Sequence, residues 1–303
     1  MLNYLGDPYT TYLNESSKSY LTSSLTGTYE GIGVLFTKND NEEFEIINVY
    51  DDTPAKEAGI LTGDIITKVN DESVAEKTST ELGTLIKESK TDTVKITIKR
   101  GEEELSFNVK RKTLYNPAVS SKVIEQNEKR VGYIALTKFS DTAYEQFNKE
   151  LKKLESSNID SLIIDVRNNT GGYLNEATKI AELFIEKGKT IYSLENKNKT
   201  EITKDETEEQ RSYKVGILIN GSSASASEVL AAALKYSYGA SLIGTKSYGK
   251  GKVQQTSNLS DGAMIKYTTA RWLTPEGNCI DGVGLTPDAV SYTHLTLPTN
   301  SRV

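Results

Sequence analysis

Three turns in the second half of the chain collect the side chains best suited to chemistry. The first, Asn220-Gly221-Ser222-Ser223-Ala224-Ser225-Ala226-Ser227-Glu228, falls between an apolar strand at 215–219 and a helix whose register runs through Val229, Ala232, Ala233 and Tyr236. Serines at a helix start are ordinarily caps. A serine at a sharp strand-to-helix turn can also expose its hydroxyl, while the next amide and the helix dipole favour a developing oxyanion. The second turn, 246–255, sets Lys250 between Gly249 and Gly251. Such a loop is ordinarily a solvated hairpin, but paired glycines also permit a close backbone approach that a surface lysine would not need. The third, Asp165-Val166-Arg167-Asn168-Asn169-Thr170-Gly171-Gly172, follows a buried strand and precedes a helix. It is either a plain tight turn or a place where amides meet a ligand near the positive end of a helix.

A serine nucleophile needs a base, and that base is not histidine. The single one, His294, lies in a C-terminal stretch without packing logic, so the body can build no Ser-His-Asp triad, Cys-His pair or His-containing zinc site. One cysteine, Cys279, excludes an internal disulfide and a cysteine metal cage, and as a nucleophile it would lack an activating histidine. Lysine or a carboxylate is left as the activator, and no metal or cofactor is expected. Acidic residues outnumber basic ones, 42 to 36, for a net charge of −6. That balance gives no footprint for nucleic acid or anionic lipid and leaves peptides and small molecules open. Hydrophobic residues at 36% and charged residues at 26%, interspersed, describe a soluble globular protein. No apolar run approaches the roughly 18 residues of a membrane-spanning helix, and the opening residues show no targeting signal.

The elements that must position these turns follow from periodicity. A length of 303 residues suggests two folded units. Residues 1–27 hold a Gly6-Asp7-Pro8 turn and a polar, Ser/Thr-rich stretch, expected as a short packed lead-in. Residues 28–112 read as a compact β-rich module. Its strands fall at 31–36, 44–49, 65–69, 93–100 and 104–110, with a short helix opened by Thr53-Pro54 and closed by Gly59, and a longer one at 78–88. Residues 113–290 begin with a connector and strands at 120–124 and 130–136, then alternate helix 144–154, strand 161–166, helix 174–186 and strand 215–219. This is an α/β core with loops gathered at strand ends, where sites usually lie. Residues 195–212 are expected to form a charged, solvated loop.

Two resemblances join these pieces. The loop Gly31-Ile32-Gly33-Val34, with the segment TPAKEAGILTGDIITKVND, resembles a PDZ domain of the bacterial protease-associated kind. Successive amides of such a loop can face one carboxylate while the adjacent strand edge pairs with an extended peptide. The bland reading is a glycine hairpin in a small barrel. SASASE at 223–228 and SYGKGKVQ at 247–254 together resemble the C-terminal processing peptidases, serine proteases with a Ser-Lys dyad. The separation of serine and lysine, 250 − 225 = 25, matches that family, as do LGDPYTTYL, DVRNNTGGYL and RWLTPEGN. The resemblance implies an α+β multidomain protein in which a β-rich PDZ module precedes an α/β, crotonase/ClpP-like protease core.

Carried over, the resemblance makes Ser225 the nucleophile, Lys250 the general base and Gln254 the side chain that orients the lysine. Ala226 and either Gly171 or Gly172 would supply the oxyanion hole, and Gly31, Ile32, Gly33 and Val34 the peptide site. Thr170 stands where the family usually has proline, and Tyr248 where it often has phenylalanine. With a lysine pKa of ~10.4, about one side chain in 2,500 is neutral at pH 7, a penalty of roughly 4.6 kcal/mol. Burial is therefore expected to depress Lys250. The implied partner is a protein or peptide with a free C-terminus, in an extracytoplasmic, bacterial enzyme that is membrane-anchored at full length and able to form homo-oligomers through further terminal segments. Residues 291–303 read as a non-native tail. Two rivals are a catalytically silent PDZ scaffold and a crotonase-like hydrolase or isomerase of small acyl compounds.

Overall fold

The computed structural model describes residues 2–87, 89 and 91–291; Glu88 of the predicted helix, His294 and the rest of the tail beyond Ser291 lie outside the described residues. The chain divides into two compact units, one of Thr28–Asn116 and one that joins Met1–Gly27 to Pro117–Val303. The smaller unit therefore interrupts the larger in chain order.

In the smaller unit, five antiparallel strands run in the spatial order Val34–Lys38, Phe44–Val49, Ile65–Val69, Thr93–Arg100 and Glu103–Lys110, with Glu72–Ser73 added beside the third. Their inward residues, among them Phe44, Ile46, Ile66 and Ile96, close on Ile32 and on Leu82 of the helix Ser79–Lys87. The segment Lys112–Tyr115, part of it expected as a connector, is a strand that pairs with Thr28–Gly31 and closes the unit on itself. Among the described residues, Val34–Lys38 has a strand neighbour on one side alone, so its other edge is unpaired there.

The larger unit begins with β1 (Thr11–Leu13) and α1 (Glu15–Thr26). The polar lead-in is thus a 12-residue helix, capped by the Asn14 side chain and closed by Gly27 at φ 65°. None of its residues is fully buried, which is why apolar periodicity did not announce it. After the insertion come β2 (Val119–Gln126), β3 (Lys129–Leu136), α2 (Ala143–Ser156), β4 (Ser161–Asp165), α3 (Leu174–Glu182), β5 (Thr190–Glu195), β6 (Thr200–Lys204), β7 (Lys214–Ile219), α4 (Ala226–Ala233), β8 (Ser241–Gly244), β9 (Lys252–Asn258), β10 (Met264–Leu273) and β11 (Ala289–Val290). One sheet has the order β2-β3-β4-β7-β8-β11, parallel from β3 onward. A second has the order β1-β10-β5-β6, with β9 also on β10.

The sequence reading needs two revisions here. Residues 195–212 are not a plain loop, because β6 pairs with β5 from Thr190↔Lys204 to Glu195↔Thr200. Its side chains are almost all exposed, so no alternation marked it. The helix expected over 174–186 stops at Glu182, and Leu183, Phe184 and Ile185 tuck into the core from the turn that follows. Every residue of α4 is buried.

Candidate active site

The loops after β3, β4, β7 and β8 leave the same ends of the parallel strands, and their side chains line a cleft of about 1020 Å³. Ser225, the last residue before α4, has φ 57° and ψ −119°, a conformation that costs a non-glycine residue on the order of 1–3 kcal/mol and persists only where the surroundings impose it. They do so through the turn after β4. The Ala224 amide (3.0 Å) and the Ser227 hydroxyl (2.8 Å) both donate to the Asn169 carbonyl, and the Ser223 hydroxyl donates to that of Val166 at 2.7 Å. Asn169 is itself fully buried, its Nδ2 donating to the Leu136 carbonyl at 2.8 Å. Ser222, Ser223 and Ser227 thus have structural or surface places, while Ser225 is half-buried and faces the cleft.

Glu228, to which the sequence assigns no role beyond its place in the serine turn, is central. Fully buried, its Oε2 accepts from the amides of Ser225 and Lys250, both at 2.9 Å, and its Oε1 accepts from the Ser247 hydroxyl and the Gly249 amide, both at 2.6 Å. One carboxylate therefore ties the serine turn to the lysine turn. The readable signal was the Ser-x-x-Glu spacing of a capping box.

The glycines have steric reasons. Gly172 lies at φ 153°, and a Cβ there would come 2.1 Å from the Phe139 carbonyl oxygen; at Gly171 (φ 97°) it would come 2.9 Å from the Ser225 Cβ. Of the two, Gly171 is not a free donor, because its amide donates to Asn169 Oδ1 at 2.9 Å. The amides of Gly172 and Ala226 have no hydrogen-bond partner among the described residues, so this is the pair available to an oxyanion. At the lysine turn, a Cβ on Gly249 would meet the Gly284 amide at 2.8 Å and one on Gly251 the Asp281 Cβ at 2.6 Å. The end of β4 is braced by Asp165, which takes Arg167 Nη2 at 2.6 Å and the Tyr133 hydroxyl at 2.7 Å. Burial and that carboxylate push the Tyr133 phenol up to about 12.

Lys250 is half-buried, its carbonyl accepting from Trp272 Nε1 at 2.9 Å. Its amine is held below the ordinary lysine value by burial first and then by repulsion from Lys266 and Lys138, against the opposing pull of Glu228. Its Nζ lies 5.2 Å from the centroid of the Tyr9 ring. No hydrogen bond joins it to Ser225 or to Gln254 among the described residues. Gln254 lines the same cleft, but a register shift between Val253 and Gln254 sets it opposite Thr268, to whose hydroxyl its Nε2 donates at 3.4 Å. Tyr9 reaches the site on the lead-in, whose anchor is Asp7. Burial would raise that carboxyl, but bonds from Thr10, Thr268 and the Tyr9 amide, with Lys252 nearby, hold it down at about 2.

In the smaller unit, Ile32 is buried, and Gly33 lies at φ 90° with its Cβ position 2.3 Å from the Thr53 Cβ. The amides of Ile32 and Gly33 have no partner among the described residues, and Val34 opens the unpaired edge strand. Loop and edge together fit a carboxylate-terminated strand.

The fold joins an α/β core, with Ser225 at a strained turn facing a cleft, to a small β-rich unit. The model of peptidase family S41 matches residues 130–291 and that of the PDZ domain residues 31–110. A probable CtpA-like serine protease of Staphylococcus haemolyticus (strain JCSC1435) is 36% identical over 291 residues, 95% of this chain and 58% of its own length; that of Staphylococcus aureus (strain N315) is 35% identical over 309 residues, 100% of this chain and 61% of its own. The chain thus spans about three-fifths of the length of these relatives. Among solved structures, the photosystem II D1 C-terminal processing protease superposes with a TM-score of 0.60 at 24% identity, over 96% of this chain and 80% of its own, which shows a shared fold. The chain belongs to peptidase family S41 and carries a PDZ domain.

Proposed function

We propose that the chain is the working part of a serine endopeptidase in which Ser225 is the nucleophile and Lys250 its base, with the PDZ domain capturing the C-terminal carboxylate of the substrate. The observation that carries this reading is the shared brace: Glu228 fixes the backbones of both residues at one cleft, with Ser225 in a strained conformation beside two unpartnered amides. An uncharged Lys250 amine takes the Ser225 proton as the oxygen attacks a peptide carbonyl. The oxyanion is received by the amides of Ala226 and Gly172. Collapse expels the amine, which leaves with the proton held by Lys250, and water activated by the same lysine then frees the acyl group. To reach Ser225, the Lys250 side chain must rotate off the Tyr9 ring, a change its four-carbon stem permits.

The test is labelling of Ser225 by a serine-directed phosphonate, with cleavage of an unfolded protein measured for the parent, Ser225→Ala and Lys250→Ala. Labelling and cleavage are expected of the parent alone. Binding of peptides by the parent without either reaction would select the silent scaffold instead. On the family resemblance alone we also propose an extracytoplasmic location, tested by whether an added protease degrades the native protein on intact cells.

A further inference from the structure

The cleft around Ser225 is lined by four lysines, Lys138, Lys250, Lys252 and Lys266, and by no aspartate or glutamate among the described residues, in a chain whose net charge is −6. The lysines come from separate places: the loop after β3, the glycine-flanked turn, the start of β9 and the middle of β10. Lys252 has an acidic partner, Asp7 at 3.5 Å. Lys138 and Lys266 form no ion pair among the described residues, and Lys138 reaches only the Thr170 hydroxyl, at 3.4 Å. Lys68 and Lys95, on strands of the smaller unit, by contrast pair with Glu104 and Asp71. Burial pulls the proton affinity of Lys138 down, and no anion offsets it. A partly desolvated cation without a counter-ion is a standing cost that an incoming carboxylate relieves. A concave surface lined by one sign of charge also concentrates ligands of the other. Part of the remaining wall is apolar, through Leu21, Leu25, Leu174 and Val229.

Taking Ser225 as the nucleophile, we propose that Lys138 and Lys266 form an anion subsite that selects peptides carrying a carboxylate close to the scissile bond, beside an apolar residue. The carboxylate is that of an acidic side chain or of the chain end itself; both offer the same charge and acceptor geometry.

The test uses quenched fluorescent peptides identical except for Glu, Gln or Lys flanking the cleaved bond, each made as the free acid and as the amide, with the parent chain and with Lys138→Gln, Lys266→Gln and Lys138→Glu. For the parent, kcat/KM is expected to favour Glu over Gln by about tenfold, the equivalent of one charge-assisted hydrogen bond. The ratio should shrink with added salt, fall toward one in the two glutamine variants and turn in favour of Lys in Lys138→Glu. A free-acid preference that replaces the Glu preference and is lost in the same variants identifies the chain end as the source. A Glu-to-Gln ratio near one in the parent without a free-acid preference that the variants abolish, or a Glu preference left intact in all three variants while Ser225 still labels to completion with the phosphonate, overturns the subsite; a free-acid preference that persists in the variants belongs to the PDZ domain. Loss of labelling in the parent instead sinks the proteolytic reading on which it rests.

Discussion

Replacing Glu228 by glutamine removes one charge and turns one acceptor into a donor while keeping the volume. The carboxylate accepts four bonds, two on each oxygen, and three of the donors are backbone amides that cannot turn away. A glutamine oxygen can serve one pair. Its NH2 then faces either two amides, or the Gly249 amide and a Ser247 hydroxyl that already accepts from the Leu285 amide at 2.7 Å. At least one charge-assisted bond is lost and one buried amide is stranded, a cost of about 2–5 kcal/mol. With a urea slope of about 3 kcal/mol/M, the upper end of the usual range and suited to a chain of this size, the midpoint should fall by roughly 0.7–1.7 M. The chain has one tryptophan, Trp272, buried and bonded to the Lys250 carbonyl, so its fluorescence follows the unfolding of this region. Under conditions where the variant is folded, phosphonate labelling of Ser225 should be at least about tenfold slower, because the strained turn has lost its anchor. A variant that melts at the parent midpoint and labels at the parent rate would show that Glu228 braces nothing.

Further outcomes follow from the same geometry. Phosphonate labelling should rise with pH as Lys250 loses its proton, along a limb below the ordinary lysine value of 10.5; Lys138→Gln or Lys266→Gln should move that limb up by removing repulsion, and Glu228→Gln should move it down. Since folding disfavours the charged form of Lys250, its burden on stability is full below the folded pKa and vanishes as pH rises past 10.5. Lys250→Met should therefore raise the urea midpoint near neutrality, with the gain gone at strongly alkaline pH. Gly172→Ala places a methyl 2.1 Å from the Phe139 carbonyl oxygen, and labelling should be abolished or the core unfolded, as circular dichroism would tell apart. Gly33→Val drives side-chain atoms into Thr53 and should weaken binding of a free-acid peptide, read by fluorescence anisotropy against its amide, while leaving Ser225 labelling in place.

Much of the fold was legible because its signals are local. The Thr53-Pro54 start and Gly59 stop bracket a real helix, Pro54–Ala58, and the apolar run Leu162-Ile163-Ile164 lies in a strand in the middle of a parallel sheet. What escaped notice lacks an apolar rhythm. α1 buries no side chain fully and β6 shows almost all of its own to solvent; the first owes its form to its caps, Asn14 and Gly27, and the second to backbone pairing in a hairpin with β5.

The site divides along the same line. The residue types alone ruled out histidine catalysis and put a serine and a lysine at two glycine-rich bends, since stereochemistry confines such bends to few residues. That these bends share one buried carboxylate was decided by tertiary structure, as was the loss of Gly171 as a donor to its own neighbour Asn169. The lysines at 138 and 266 are ordinary surface charges in a linear reading. They become a cationic wall only when β3 and β10 are brought to one cleft, because electrostatic influence depends on distance through space and on exclusion of water, neither of which is written in the order of residues.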